Sequence, residues 1–383
     1  MALTRDLFLK GFYAKKIVSQ NLILTNFLTD FYYKFINKNK FTEIYSFNSR
    51  TNLYRPLLRI CLKFNIKFNN LECITGNKLY PTRILNFIDS LPSDFDKIPN
   101  LINSYWKKNK HVKKDKIVNS FYYSIKKKEL NTPDNIKNFL VKQQYGILPK
   151  NWNNKKYNIT FFASSEDEFE TVVKKNFKPL FKNQNEAIEE ILRIINNQKD
   201  YILWLRMHPN MYNINWKYVN NLYELEDKFQ NVFVIRPYSS ISTNSLIENS
   251  NLNIGLSSRT LLESIFIKKP TIILGKTFWN QIGHCNVVKD LSQLEEMILS
   301  RKVPISNKIV PRKFAFFWST YGKTNKYLAG KFLFNKNNEV VDHSFKFRNF
   351  TISFSKFDNF IYIFVKSVEK VLIYFNYKLS SDK

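Results

Sequence analysis

The chain of 383 residues is longer than one ordinary hydrophobic core requires, and it is long enough for two domains. Its formal net charge of +29 comes from 48 Lys and 12 Arg against 31 acidic residues. Arg is the residue favoured for base readout and stacking, so a dispersed excess of Lys disfavours a dedicated nucleic-acid groove. It favours an anionic membrane surface or anionic substrates instead.

The first residues and the cysteines limit the expected compartment. Residues 1–16 lack the uninterrupted apolar centre and the small-residue cleavage site of a signal peptide. No segment reaches about 18 uncharged apolar residues, the length that spans a bilayer. Cys61, Cys73 and Cys285 are widely spaced and support neither a disulfide framework nor a zinc site. These features predict a cytoplasmic protein without a metal site.

The first half of the chain shows an irregular mixture of strand and helix patterns. Strands are expected at residues 43–47 and 70–74. Helical patterns occur at 53–64, 81–90, 96–107 and 133–144. We therefore predict a Rossmann-like α/β domain over residues 1–150, which ends in the turn-rich and charged stretch 145–156.

The second half alternates regularly between short apolar runs and helical patterns. The apolar runs occupy residues 159–162, 201–205, 232–235, 252–256 and 271–274. The helical patterns occupy 185–197, 216–229, 243–249, 260–267 and 291–299. Such alternation predicts βαβ units around a parallel sheet, and we expect a second Rossmann-like domain over residues 151–310. No dinucleotide fingerprint or Walker loop follows these runs, and the chain has only eight Gly, which disfavours hydride-transfer and P-loop enzymes.

Residues 311–383 are expected to form a partly helical tail. Between residues 357 and 378 apolar side chains recur at helical spacing, which is typical of an amphipathic helix. Such a helix packs on a core or lies on a membrane surface, and the sequence leaves both interpretations open.

Three polar clusters come directly after predicted strands of the second half. They are Ser164-Ser165-Glu166-Asp167-Glu168, Arg206-Met207-His208-Pro209 and Ser257-Ser258-Arg259. The carboxyl ends of parallel strands meet at one edge of a sheet, and ligands bind there where the strand order reverses. Three chemically capable clusters at equivalent positions therefore predict an active site.

The order of these motifs resembles that of bacterial capsule and surface-polysaccharide glycosyltransferases. The resemblance covers roughly residues 47–330 and also includes Phe47-Asn48-Ser49-Arg50, Arg55-Pro56, Arg59, Gln184 and Glu263. It implies a GT-B-like α/β fold, in which two Rossmann-like domains face each other across a cleft and a terminal helix crosses back to the first domain. It further implies that the C-terminal domain binds a nucleotide-sugar donor and that the N-terminal domain binds the acceptor glycan.

The Arg206-Met207-His208-Pro209 element is similar to the His-Pro motif of sialyltransferases, Kdo transferases and teichoic acid polymerases. Because those enzymes use cytidine-activated donors, the resemblance implies a CMP- or CDP-linked donor. The sequence departs from the family at Ser49 and Leu256, where Gly is usual, and at Ser264, where Ala is usual. The polar groups of the motifs are retained. These departures are therefore expected to affect which donor is bound more than which reaction is catalysed.

Glycosyl transfer gives each motif an expected role. The departing phosphate needs stabilisation while a base removes the acceptor hydroxyl proton. His208 is the expected proton or hydrogen-bond donor to the phosphate, and Asp167 or Glu168 is the expected base. Donor binding is expected of Ser164, Ser165, Arg206, Pro209, Ser257, Ser258, Arg259 and Glu263, the last through ribose hydroxyls. The resemblance assigns acceptor binding to Asn48, Arg50 and Arg55, and no metal or cofactor is expected.

Each motif also has a purely structural interpretation. A Ser-Ser pair is typical of a helix N-cap, residues 166–170 of an acidic helix start, and His208-Pro209 of a loop turn. Two other functions stay open: a polyol-phosphate transferase with a CDP donor, and a non-catalytic glycan- or nucleic-acid-binding protein. The leading prediction is a metal-independent, inverting glycosyltransferase that acts on a glycan or lipid-linked acceptor and contacts the anionic inner face of the cytoplasmic membrane.

Overall fold

The computed structural model describes residues 12–47, 49, 53–74, 83–92, 94–126, 143–164, 180–212, 217–275, 277–324, 329–334, 340–347 and 350–353. The chain divides into two compact units. The first comprises Met1–Cys73 and Leu85–Gly322, and the second comprises Ile74–Ile84 and Lys323–Lys383.

The first half of the first unit contains a βαβ motif. Its elements are α1 (Phe12–Lys38), β1 (Glu43–Phe47), α2 (Arg55–Lys63), β2 (Lys67–Ile74), β3 (Arg83–Ile88), α3 (Lys97–Lys108) and α4 (Lys114–Lys126). Strands β1 and β2 are parallel, with Glu43 opposite Lys67, and the sheet order is β1-β2-β3. The predicted elements at 43–47, 53–64, 70–74 and 96–107 are confirmed.

Two other expectations for this half have different outcomes. The helix predicted at 81–90 is wrong, because residues 83–88 form strand β3 with buried and less buried side chains in alternation. Ile84, Phe87 and Ile88 have helical spacing, but Leu85 and Phe87 both face the core, as a period of two requires. The helix predicted at 133–144 lies outside the described residues, except for Gln143 and Gln144, which are not helical.

The second half of the first unit has a complete doubly wound sheet. Its strands are β4 (Tyr157–Phe162), β5 (Tyr201–Arg206), β6 (Val232–Ile235), β7 (Leu252–Gly255) and β8 (Thr271–Ile273). All neighbouring strands are parallel, in the order β6-β5-β4-β7-β8. The five predicted strands are therefore confirmed. The strand order runs in opposite directions on the two sides of the β4–β7 pair, so the order reverses between these two strands.

Helices connect these strands at the predicted places. They are α5 (Gln184–Ile195), α6 (Lys217–Tyr223), α7 (Leu225–Lys228), α8 (Thr243–Asn249), α9 (Thr260–Phe266) and α10 (Leu291–Leu299). Asn183 caps α5 by accepting a hydrogen bond from the Glu186 N–H at 3.0 Å. The apolar face of α5 is buried, and the single helix expected at 216–229 is divided into α6 and α7.

Helix α11 (Ile309–Thr320) follows the doubly wound sheet and packs on α3 and α4. The Tyr122 hydroxyl donates to the Pro311 carbonyl at 3.0 Å, and Lys313 Nζ donates to Asn103 Oδ1 at 2.7 Å. The Tyr105 ring lies 5.7 Å from the ring of Phe316. These contacts join the two α/β halves within the first unit. The domain boundaries at residues 150 and 310 remain predictions.

The described residues of the second unit form antiparallel strands that were not predicted. Arg83 and Ile84 pair with β9 (Lys323–Thr324). A separate sheet contains β10 (Ala329–Phe334), β11 (Val340–Phe347) and β12 (Phe350–Ser353). The amphipathic pattern at 357–378 lies outside the described residues.

The predicted α/β class is confirmed, since the first unit contains the two α/β halves that a GT-B-like fold requires. In the part of the chain that the structure describes, no helix is both long enough and apolar enough to cross a membrane.

Candidate functional site

The candidate site lies where the strand order of the doubly wound sheet reverses. Ser164 follows β4 and Ser257 follows β7, and these two strands are neighbours. The Ser257 hydroxyl donates to the Ser164 hydroxyl at 3.3 Å, and both side chains are buried. The structure therefore brings together two residues that are 93 positions apart. Their position is the crevice in which open α/β sheets bind ligands.

Gln184, the first residue of α5, holds the backbone at Ser164. Its Oε1 atom accepts from the Ser164 N–H at 3.0 Å, and its Nε2 atom donates to the Ser164 carbonyl at 3.2 Å. Both residues are buried, so the pairing is shielded from water. Gln184 is one of the residues in the motif order given above. The motif order did not predict its role, because that role depends on hydrogen bonds to the Ser164 backbone that only the structure shows.

The loop that carries Ser257 is supported from behind by Gly275. A Cβ atom at Gly275 would lie only 2.5 Å from the carbonyl oxygen of Leu256. The Asn280 side chain donates to the Gly275 carbonyl at 2.9 Å and holds this close approach. The backbone after β8 therefore packs directly on the backbone after β7, and only glycine fits at this position.

Arg206 is the last residue of β5 and is 3% exposed. Its Nη1 atom donates to the Arg236 carbonyl at 3.0 Å. Within the described part of the chain, its Nε and Nη2 atoms have no hydrogen-bond partner. Burial lowers the pKa of the guanidinium to about 10, so it stays charged at neutral pH. A buried cation with free donors is an arrangement that an anionic ligand would stabilise.

His208 and Pro209 follow Arg206 at the same edge of the sheet. The carbonyls of these two residues accept from the Met211 and Tyr212 N–H groups at 2.9 and 3.1 Å. Residues 209–211 form a single 3₁₀ turn, which confirms a turn at the His-Pro pair. The His208 side chain is partly exposed at this turn.

Ser258 and Arg259 precede α9, which begins at Thr260, as the helical pattern at 260–267 predicted. The Ser258 carbonyl accepts from the Leu261 N–H at 3.2 Å and so closes the first turn. Neither serine acts as the side-chain cap of this helix, because its cap position is Arg259 and no side chain caps it. The N-cap interpretation of the Ser-Ser pair is therefore wrong.

Glu263 lies on α9 and lines a cavity of about 290 Å³ between α4, α8 and α9. Burial raises the pKa of its carboxyl group to about 7, and the charge of Arg259 opposes this shift. The Tyr122 ring stacks on Phe266 at 4.1 Å beside it, and the Lys126–Glu248 ion pair of 2.7 Å closes another side. Neither Ser164 nor Ser257 lines this cavity.

A larger open depression of about 790 Å³ lies at the outer edge of the sheet, beside β6. Trp204 and Phe233 line it together with Arg236, which forms a 3.0 Å ion pair with Glu226. None of the predicted site residues lines this depression.

In the first half, the loop after β1 is held by Asn70. Its Oδ1 atom accepts from the N–H and the hydroxyl of Ser49, at 3.2 and 3.1 Å, and its Nδ2 atom donates to the Ser90 carbonyl. Arg55 is the first residue of α2, and its pKa is lowered, mainly by burial and secondly by Arg59.

The predicted residues Asn48, Arg50, Ser165, Asp167 and Glu168 lie outside the described part of the chain.

No protein-family model and no curated protein matches this chain. Among solved structures, the beta Kdo 2,4 transferase KpsC of Thermosulfurimonas dismutans is 8% identical over 72% of this chain and 78% of its own, with a TM-score of 0.39. The UDP-GlcNAc 2-epimerase of Methanocaldococcus jannaschii, in complex with UDP-GlcNAc and UDP, is 17% identical over 77% and 80%, with a TM-score of 0.34. The wall teichoic acid polymerase TagF is 12% identical over 58% and 45%, with a TM-score of 0.27. Because these sequence identities and TM-scores are low, the similarity says nothing about the residues of the candidate site.

Proposed function

We propose that this protein is a glycosyltransferase that moves a sugar from a nucleotide donor to a growing capsule or surface polysaccharide. The observation that carries the proposal is the contact between the Ser164 and Ser257 hydroxyls at the reversal of strand order. The buried and incompletely paired Arg206 ends the neighbouring strand at the same edge. Hydroxyl groups and a guanidinium at the carboxyl ends of neighbouring strands suit the diphosphate or monophosphate of a nucleotide.

In the proposed reaction, the charge that develops on the departing phosphate is stabilised by groups at this edge. The Arg206 guanidinium supplies positive charge and free N–H donors in a site shielded from water. His208 donates a proton or a hydrogen bond to the phosphate. Ser165, Pro209, Ser258 and Arg259 complete the donor site in this proposal.

The other half of the reaction is removal of the acceptor hydroxyl proton. We assign the base to Asp167 or Glu168, which follow β4 in the sequence, and acceptor binding to Asn48, Arg50 and Arg55 in the first half. Glu263 is left out of the donor site in this proposal, because it lines a separate cavity that neither Ser164 nor Ser257 lines. The transfer is inverting and needs no metal, because the guanidinium and hydroxyl donors take the place of a cation on the phosphate.

The His-Pro motif favours a cytidine nucleotide in the donor. A CMP-linked sugar is the first candidate, and a CDP-linked polyol transferred as its phosphate is the second, because both leave a cytidine phosphate in the same crevice. Product mass separates them, since a sugar residue and a phosphopolyol add different masses to the acceptor. A protein that binds glycan or nucleic acid without catalysis would give neither product.

Transfer to a lipid-linked or anionic acceptor would take place at the inner face of the cytoplasmic membrane. The net charge of +29 supports this location, because the cytoplasmic leaflet is negatively charged. In this proposal residues 1–150 receive the acceptor and residues 151–310 bind the donor.

The test is the rate of nucleotide release from a panel of CMP-, CDP- and UDP-linked donors by wild type and by His208→Ala. We expect the rate to fall by about 100-fold or more, the usual contribution of a positioned proton donor, with an unchanged melting temperature. His284→Ala is the matched control, because His284 is exposed and is not one of the residues assigned to the site. Full activity of His208→Ala would contradict the assigned mechanism.

A further inference from the structure

Helix α1 exposes large apolar side chains along one face. Ile23, Phe27, Phe31 and Phe35 follow one another at intervals of four residues, which places them on the same side of a helix. Their exposed fractions are 68%, 64%, 49% and 47%. Leu24 lies beside them and is also exposed, and the rings of Phe31 and Phe35 stack at 5.8 Å. This apolar face runs along much of a helix that is about 40 Å long.

The opposite face of α1 already has a partner. Ile36 is 3% exposed and packs with Leu58 and Cys61 of α2, and the half-buried Tyr32 packs against the same cluster. The apolar face is therefore not what attaches α1 to the protein. A contiguous exposed apolar surface of this kind marks an interaction surface.

The charges of α1 indicate what this surface contacts. Lys16 and Lys34 are 18 residues apart, which is five helical turns, so both lie on the side of Phe27. Lys38 is one turn beyond Lys34, and Asp30 is the one acidic residue among the 27 residues of the helix. Aromatic residues flanked by lysines suit the interface of an anionic bilayer, where apolar side chains enter the acyl boundary and ammonium groups contact lipid phosphates.

A second copy of this chain fits the same surface less well. Two copies would bring their lysines against each other, and each copy carries a net charge of +29. An anionic bilayer removes this repulsion and covers the apolar side chains at the same time.

We propose that the apolar face of α1, formed by Ile23, Leu24, Phe27, Phe31 and Phe35, docks the protein on an anionic membrane surface. Helix α1 lies in the plane of the interface and does not cross the bilayer. The proposal does not depend on the transferase function, although a membrane-bound acceptor would lie within reach of a protein docked in this way.

The test is co-sedimentation of the full chain with phosphatidylcholine vesicles that contain or lack phosphatidylglycerol. Wild type is expected to bind the anionic vesicles and not the neutral ones. The double variant Phe27→Ser with Phe31→Ser should bind about tenfold less or weaker still, because two aromatic side chains no longer enter the bilayer. Its melting temperature should match wild type, since both side chains are largely exposed.

Two further variants distinguish apolar docking from charge alone. Lys34→Gln with Lys38→Gln should also weaken binding by about tenfold, because each lysine near an anionic surface contributes to attraction. Val112→Ser with Ile305→Ser is the matched apolar control, because both positions are exposed but lie outside α1, and it should bind like wild type.

Three results would overturn the proposal. The first is absence of wild-type binding to anionic vesicles at low salt. The second is undiminished binding by the Phe27 and Phe31 variant, which would show that charge alone is responsible. The third is a change from dimer to monomer in that variant with unchanged vesicle binding, which would identify a second copy as the occupant.

Discussion

At the level of single residues, the buried Arg206 side chain destabilises the folded protein, which a purely structural side chain would not do. A guanidinium that is buried with two nitrogens unpaired among the described residues loses its hydration without full compensation. We expect Arg206→Met to raise the free energy of unfolding by roughly 1–3 kcal/mol, the desolvation cost of such a group. The same variant should lose nucleotide binding. Thermal or denaturant unfolding with and without nucleotide measures both effects.

Arg193→Met is the matched control for this prediction. Arg193 is exposed on α5 and pairs with Glu190 at 2.8 Å, so its removal should leave the stability close to that of wild type. A loss of stability of more than about 1 kcal/mol in Arg206→Met would show instead that the guanidinium is a structural element.

Glu263 should give the protein a measurable pH dependence. Its folded-state pKa of about 7 lies above the ordinary value of 4.5, so between these pH values the folded protein keeps a proton that the unfolded chain has lost. The stabilisation is complete below about pH 4.5 and is lost as the pH rises to about 7. Relative to wild type, Glu263→Gln should therefore gain roughly 3 kcal/mol of stability between pH 4.5 and 8.

Urea unfolding of both proteins across this pH range measures the difference. Glu296→Gln on α10 is the control, because Glu296 is an exposed acid outside the cavity that Glu263 lines. A constant difference between Glu263→Gln and wild type at all pH values would mean that this carboxyl group is solvated in solution.

The residues of the candidate site were predictable to different degrees. Ser164, Arg206 and Ser257 were found because each directly follows an apolar run, and parallel strands bring such positions to one edge. Gln184 and Asn70 hold the site loops through side-chain to backbone hydrogen bonds. Partners of this kind are separated by about twenty residues and leave no periodic pattern, so the sequence could not give their roles.

At the level of secondary-structure elements, the predictions succeeded where the side chains are buried in a consistent pattern along the element. The strands of the second half are buried on both faces, and their continuous apolar runs are unambiguous. Strand β3 was mistaken for a helix because its short run fits both periods. Helix α1 was not predicted, since apolar residues occur on both its buried and its exposed faces and hide the amphipathic period. Its exposed face is the surface that we assign to the membrane.

At the scale of the whole molecule, the position of the crevice follows from topology rather than from any single motif. The order β6-β5-β4-β7-β8 joins five parallel strands through the helices between them. Its reversal between β4 and β7 creates the crevice, and helix α11 ties the doubly wound half to α3 and α4. The strand alternation predicted the sheet, whereas the contacts of α11 depend on aromatic packing between distant segments that no local pattern shows.

The proposed function requires this crevice to bind the nucleotide of a sugar donor. The most direct measurement is the melting temperature of the purified full chain with CMP, CDP, UDP, GDP and ADP, with and without magnesium. A ligand that binds only the folded state stabilises it by about 2.7 kcal/mol at 100 times its dissociation constant. We predict a rise with cytidine nucleotides that does not depend on magnesium. No rise with any of the five nucleotides would contradict the account.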